Sequence, residues 1–229
     1  MNINILYEDE EILVAEKPVG MESQSAKSFE PDMVSEIKKH INSKSPKSGE
    51  PYVGVIHRLD KPVGGIMVYA KTKNSAESLS KQVSGHQMNK IYYAVVCGKP
   101  VENFGTYVDY LWKDSKNNYS KIVEKGIKGA KPAELDFRIV DKVQQDGEEY
   151  SLLEIKLKTG RHHQIRVQMA GHGTPLWGDQ KYNPCFQQKK QRVNVALFAS
   201  GLSFVHPVTK KKMTFTVKPK GQMFELFSI

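Results

Sequence analysis

Residues 52–72 read YVGVIHRLDKPVGGIMVYAKT. Both ends are short runs rich in Val, Ile and Tyr, Tyr52 to Ile56 and Gly65 to Ala70, as in buried β-strands bounded by turn residues. Between them lie His57, Arg58, Leu59, Asp60, Lys61, Pro62 and a Gly64-Gly65 pair, a tight polar connection between two apolar strands. Asp60 is the only acid between Glu50 and Glu77. A lone Asp before a turn is usually an Asx-turn or a cap, but a carboxylate on a loop held by rigid elements also suits chemistry and is the first candidate residue. Arg58, two positions earlier, shares its face if the strand continues.

Similar runs recur outward from this segment: Glu11 to Ala15, Lys90 to Val96, Glu134 to Val140, Ser151 to Leu157, Ala196 to Val205 and Met213 to Val217. Helical spacing is rarer. Asp32 to Asn42 places Met33, Ile37 and Ile41 on one face, Asn74 to Gly85 opens after Thr72, and Arg161 to Ala170 closes at Gly171. Strands outnumber helices and do not alternate with them, which predicts an α+β fold around a mixed or antiparallel sheet, not a doubly wound parallel one. No repeat or Ser/Gly-rich linker divides the chain, so residues 1–229 are expected to form one continuous domain. Asn42 to Glu50 reads as a basic loop, and Gly98, Gly105, Gly126, Gly129 and Gly147 read as turn glycines.

Hydrophobic residues make up 39% of the 229 and charged residues 26%, a balance that excludes disordered and collagen-like chains. The longest apolar runs fall far short of the roughly 18 residues of a membrane span, and the opening MNINILYEDEE has acids where a signal peptide is basic. A cytoplasmic protein with two reduced cysteines, Cys97 and Cys185, is the expectation. Lys and Arg number 34 against 25 Asp and Glu, a net charge of +9 that favours a polyanionic partner. The phosphate loop GxxxxGK[ST], the dinucleotide GxGxxG, HExxH and GxSxG are all absent from the sequence, so no cofactor is expected.

Two further segments concentrate polar residues. Thr159 to Tyr182, TGRHHQIRVQMAGHGTPLWGDQKY, opens its helical pattern with Gly160, Arg161, His162 and His163, a cationic helix start suited to phosphate. Adjacent His162 and His163 point apart and no acid or cysteine lies at ligand spacing, so a zinc hydrolase using them with His172 is the weaker reading and no metal is expected. In Lys90 to Gly98, KIYYAVVCG, strand alternation places Tyr92 with Lys90, Ala94 and Val96, and Tyr93 on the other face.

The ordered set HRLD, an apolar strand ending AKT, KxYxAxVxG, TGRxHQIRV and GDxxY resembles the pseudouridine synthases of the RluA type. The opening ILYEDEEILVAEKPVG, with Lys17, Pro18 and Gly20, and the closing LSFVHPVT, with His206 and Pro207, extend the resemblance over most of the chain. It implies the pseudouridine synthase catalytic fold, an RNA cleft, and isomerisation of specific uridines in structured RNA, ribosomal or transfer, without metal or cofactor. It makes Asp60 the essential carboxylate, Tyr92 the ring that stacks on the flipped uracil and candidate for taking its C5 proton, and Arg166 the partner that keeps the carboxylate ionised. Arg58 resembles the arginine that fills the space left by base flipping. His57, Arg161 and His162 fall to RNA contact, and Ile165 and Leu176 to apolar wall. A monomer is expected, as is common in the family.

The sequence also departs from the pattern. Many relatives read HRLDxxTSG where this chain has HRLDKPVGG, so two hydroxyls are lost at Val63 and Gly64, and Asn183 stands where a Gly often follows GDxxY. An alternative reading is therefore a catalytically inactive RNA-binding or RNA-folding module. Lys38 to Lys47, Lys189, Lys190, Arg192 and Lys210 to Lys212 are candidate RNA-facing basic clusters.

Overall fold

The computed structural model describes residues 3–25, 30–44, 49–188 and 193–228. In chain order the strands are β1 (Asn4–Glu8), β2 (Ile12–Lys17), β3 (Gly54–Val55), β4 (Gly64–Ala70), β5 (Asn89–Cys97), β6 (Phe104–Asp114), β7 (Tyr119–Val123), β8 (Lys131–Gln145), β9 (Glu148–Leu157), β10 (Leu197–Val205) and β11 (Lys212–Thr216). The helices are α1 (Met33–Lys44), α2 (Lys73–Ser84), α3 (Gln164–Gly171) and the single turn α4 (Pro184–Gln187), followed by a 3₁₀ turn at Gln222–Leu226. The paired strands with few helices are the α+β architecture expected from the strand-rich pattern. The chain resolves into two compact units: Met1–Lys90 with Ala199–Val217, and Ile91–Phe198 with Lys218–Ile229.

In the first unit the strand order is β1-β2-β4-β10, with β11 on β10 and β3 on β4. Pairing of β2 with β4 is antiparallel, Ile12 opposite Ala70 through to Lys17 opposite Gly65. All residues of both strands are buried, which is why β4 and Ile12 to Ala15 of β2 read as continuous apolar runs, with Glu16 and Lys17 as a buried charged end to β2. Ile12, Val14, Ile66, Val68, Leu79, Leu202 and Phe204 form one core under α2. That helix begins where the sequence says it should: the Thr72 hydroxyl accepts from the Ser75 amide at 3.2 Å and the helix stops at Gly85. Such a cap contributes about 1 kcal/mol.

In the second unit the order is β5-β9-β8-β6-β7. The β6–β7, β6–β8 and β8–β9 pairs are antiparallel, with a bulge between Ile139 and Asp141 on β8. Leu111, Ala133, Val167 and Tyr182 form a small core that seats α3 on the sheet. Gly105 is a correction to the turn-glycine reading: it lies inside β6, where a Cβ would come within 3.1 Å of the Phe137 ring. Two strands, β6 and β7, and the N-terminal β1 were not among the sequence expectations.

Candidate active site

The HRLD segment leaves β3 and enters β4 through a turn closed by the Val63 amide donating to the Asp60 carbonyl at 2.9 Å. Both neighbours of Asp60 are pinned. Before it, buried Ser23 donates its hydroxyl to the Leu59 carbonyl at 2.8 Å and accepts from the Leu59 amide at 3.0 Å. After it, the Lys61 carbonyl accepts from the Gly20 amide at 2.9 Å and from Lys17 Nζ at 3.2 Å. Asp60 is half-buried and Arg58 exposed, so a charge held in place stands beside one that reaches solvent.

Lys17, at the end of β2, is fully buried and also donates to the carbonyls of Pro18 at 3.0 Å and Met21 at 2.5 Å. Burial lowers its pKa to about 8, against the opposing pull of the Asp60 and Glu22 carboxylates. Its place in the sequence as the charged end of an apolar run was visible; its three carbonyl partners, drawn from two separate turns, were not.

His57 accepts at Nε2 from the Val68 amide at 3.3 Å, so the neutral ring carries its proton on Nδ1. That atom is shut off from solvent and has no hydrogen-bond partner among the described residues. Burial, with Lys90 adding to it, lowers the imidazole pKa to about 3. The HRLDKPVGG departure is also accommodated. Val63 is buried and apolar, a shape match for the Thr of relatives, and Gly65 with φ of +129° is obligatory because a Cβ there would lie 2.3 Å from the Ala199 carbonyl oxygen.

The second unit holds the remaining candidates. Tyr92 is buried on β5, on the same alternation as buried Ala94 and Val96. Arg166 on α3 donates from Nε and Nη2 to the two carboxylate oxygens of Asp179, each at 2.7 Å. Asp179 is held in turn by the backbone amides of Lys181 at 2.9 Å and Tyr182 at 3.2 Å. The guanidinium lies 5.2 Å over the Tyr182 ring. Tyr182, whose phenol is pushed up to about 12 by burial, accepts from the Ser120 amide at 2.9 Å and is hydrogen-bonded to His163 Nδ1 at 2.7 Å. The GDxxY motif thus acts as the mount for Arg166, a role its spacing did not reveal.

One expectation for this segment is corrected. The helix starts at Gln164, not Arg161, because His163 adopts a left-handed conformation with φ of 53° at the N-cap. Residues 159–163 instead wrap the Gln164 amide, whose Oε1 accepts from the Thr159 hydroxyl at 2.8 Å and the Arg161 amide at 2.9 Å. Arg161 Nε donates to the Pro132 carbonyl at 2.8 Å, and His162 bonds Ser120 Oγ at 2.8 Å and Asn118 Oδ1 at 2.9 Å. Ile165 and Leu176 are buried. His172 pairs with Asp109 at 3.0 Å, and among the described residues no three His, Cys, Asp or Glu side chains are gathered as a metal site requires. Asn183 caps α4 by accepting from the Cys185 amide, and it donates to the Leu176 carbonyl at 2.9 Å.

The basic clusters are partly engaged: Lys38 pairs with Glu50 at 2.9 Å, Lys44 with Glu8 at 2.8 Å, and Lys210 donates to the Pro207 carbonyl at 2.5 Å. Residues 45–48, and Lys189, Lys190 and Arg192, lie outside the described residues.

Residues 11–171 match the model of the RNA pseudouridylate synthase family. The chain belongs to that family. It is 34% identical over 228 residues to an uncharacterized RNA pseudouridine synthase, YlyB, of Bacillus subtilis, covering 99% of this chain and 72% of the relative. It is 31% identical over 235 residues to ribosomal large subunit pseudouridine synthase D of Zymomonas mobilis, covering 99% and 72%. The solved structure of human RNA pseudouridylate synthase domain containing 4 superposes with a TM-score of 0.77 at 20% identity, over 97% of this chain and 90% of that one, which establishes the fold. Domain containing 1 of the same human series gives 0.73 at 22%, over 94% and 83%. As a member of the family the chain is an isomerase of uridine in RNA, and the +9 charge fits that polyanionic substrate. No described helix is long and apolar enough to cross a membrane.

Proposed function

We propose that the chain converts a specific uridine of structured RNA to pseudouridine, with ribosomal RNA as the first substrate to test and transfer RNA as the second, and with Asp60 as its essential carboxylate. The observation that carries this reading is Asp60 itself, set between two backbone positions pinned by Ser23, Gly20 and Lys17 in a chain of this family. The name of the Zymomonas relative supports a ribosomal substrate.

The reaction breaks the N1–C1′ bond, turns the uracil, joins C5 to C1′, releases the C5 proton and returns a proton to N1, so no atom is gained or lost. A carboxylate can start it at ribose C1′, at uracil C6 or by taking the C2′ proton, and each route ends in the same C5–C1′ bond. Reaching a uridine inside a stem requires the base to leave its stack, and exposed Arg58 is suited to fill the vacancy. Tyr92 stacks on the uracil and takes the C5 proton, Arg166 keeps the catalytic carboxylate ionised, and Arg161 and His162 contribute RNA contacts, whereas His57, both of whose ring nitrogens are enclosed, supports the turn from inside and not the RNA.

The test is tritium release from RNA labelled at uridine C5, made in cells lacking this gene. Release by the wild-type chain and none by Asp60→Ala is the expected result. Equal release from both would overturn the assignment of Asp60, and RNA binding without release by either would identify an inactive binding module.

A further inference from the structure

The β6–β7 hairpin has two unlike faces. On one, Leu111 and Ile122 join the apolar cluster beneath α3. On the other, Trp112 and Val123, with Lys121, Glu124 and Ile127, line an open apolar groove of about 480 Å³. Trp112 lies directly opposite Lys121 in the ladder, and the Lys121 ammonium stands 5.4 Å from the indole centroid. Ile127 is 50% exposed. Over residues 112–131 the sequence supplies Lys113, Lys116, Lys121, Lys125, Lys128 and Lys131 against Asp114 and Glu124. The Asp114 carboxylate is occupied by the Lys116 and Asn117 amides.

We propose that this groove binds an unpaired nucleobase of the RNA substrate, stacked on Trp112, with Lys121 on the adjoining phosphate. The inference rests on the reading of the chain as an RNA-modifying enzyme and adds a binding site whose lining includes none of the proposed catalytic residues. An indole with a cation over its ring, in a segment with six lysines and two acids, matches a ligand that is flat and aromatic at one end and anionic at the other. An apolar peptide would fill the groove but would gain nothing from the lysines around it. A duplex cannot enter, because its base faces are already stacked.

The chain has two tryptophans, so Trp177→Phe leaves Trp112 as the only indole. Its emission is expected to be quenched by a short single-stranded oligouridylate and not by an RNA duplex. In the isomerisation assay, Trp112→Ala should raise KM for RNA about 10-fold with kcat held, as loss of one base stack does, and Trp112→Phe should restore most of it. Lys121→Gln should reduce the salt slope of binding by about 1. Emission unchanged at RNA concentrations that saturate binding overturns the proposal. So does self-association abolished by Trp112→Ala, which would assign the groove to a second copy of the chain. Quenching in the absence of any turnover by the wild-type chain would leave the groove assigned and overturn the catalytic reading instead.

Discussion

Arg166 meets both carboxylate oxygens of Asp179 at 2.7 Å, and the Asp179 side chain has no exposed surface. A guanidinium clamped along one edge and lying over the Tyr182 ring has its plane fixed before any substrate arrives. Asp179→Asn removes the charge from that clamp while keeping its shape. Breaking a buried pair from one side costs about 3–5 kcal/mol, so urea unfolding should show a large loss of stability, and kcat should fall with it. A stable variant with full kcat would show that Arg166 is held by other contacts.

Lys17 ties the turn after Asp60 to the end of β2. The unfolded chain keeps this lysine protonated up to its ordinary pKa of 10.5, whereas the folded one releases the proton from about 8. Between those values the unfolded state binds more protons, so wild-type stability gains a contribution that rises with pH, reaching about 3 kcal/mol at most. Lys17→Met should lack that rise. Unfolding free energies of both proteins at pH 7.5 and pH 10 check it, and parallel changes would refute the assignment.

His57 works in the acid range. Its folded pKa of about 3 lies below the ordinary 6.5. As pH falls through 6.5 the unfolded imidazole takes a proton that the folded one refuses, so stability is lost progressively from there down to about pH 3. His57→Gln should blunt that loss. The comparison to make is the drop in melting temperature from pH 7 to pH 5, and an identical drop in both proteins would mean that His57 does not drive it.

Asp60→Asn tests the carboxylate without altering the turn, because the Val63 amide donates to the Asp60 main-chain carbonyl. Isomerisation should fall below detection while melting temperature stays within a few degrees and RNA affinity is kept. Loss of RNA binding together with activity would place Asp60 in recognition and not in chemistry.

The buried strands were legible because β4 and Ile12 to Ala15 of β2 are apolar on both faces, and α2 was legible from Thr72 and Gly85. Strands β6 and β7 were not, since the exposed positions of β6 hold apolar Phe104 and Val108 beside Thr106 and Lys113, and those of β7 hold Tyr119 beside Lys121, so no apolar–polar alternation marks either strand. The start of α3 was misplaced because His163 takes a left-handed conformation that residues other than glycine seldom adopt. Asp60, Tyr92 and Arg166 stood out through the family pattern. Ser23 did not, and Lys17 and Asp179 lay inside that pattern without a role, because the work of all three is defined by partners at 36, 44 and 13 residues' distance.

The absence of a side chain at Gly65 brings the Ala199 backbone within reach of β4. Natural drift along HRLDKPVGG therefore has unequal freedom: the Thr of relatives can become Val63 at the expense of one hydroxyl, whereas any L-residue at 65 collides with main chain that cannot rotate away. The chemistry of this turn can therefore be traded while its final glycine cannot, because the constraint at 65 comes from main chain and the one at 63 from a side chain alone.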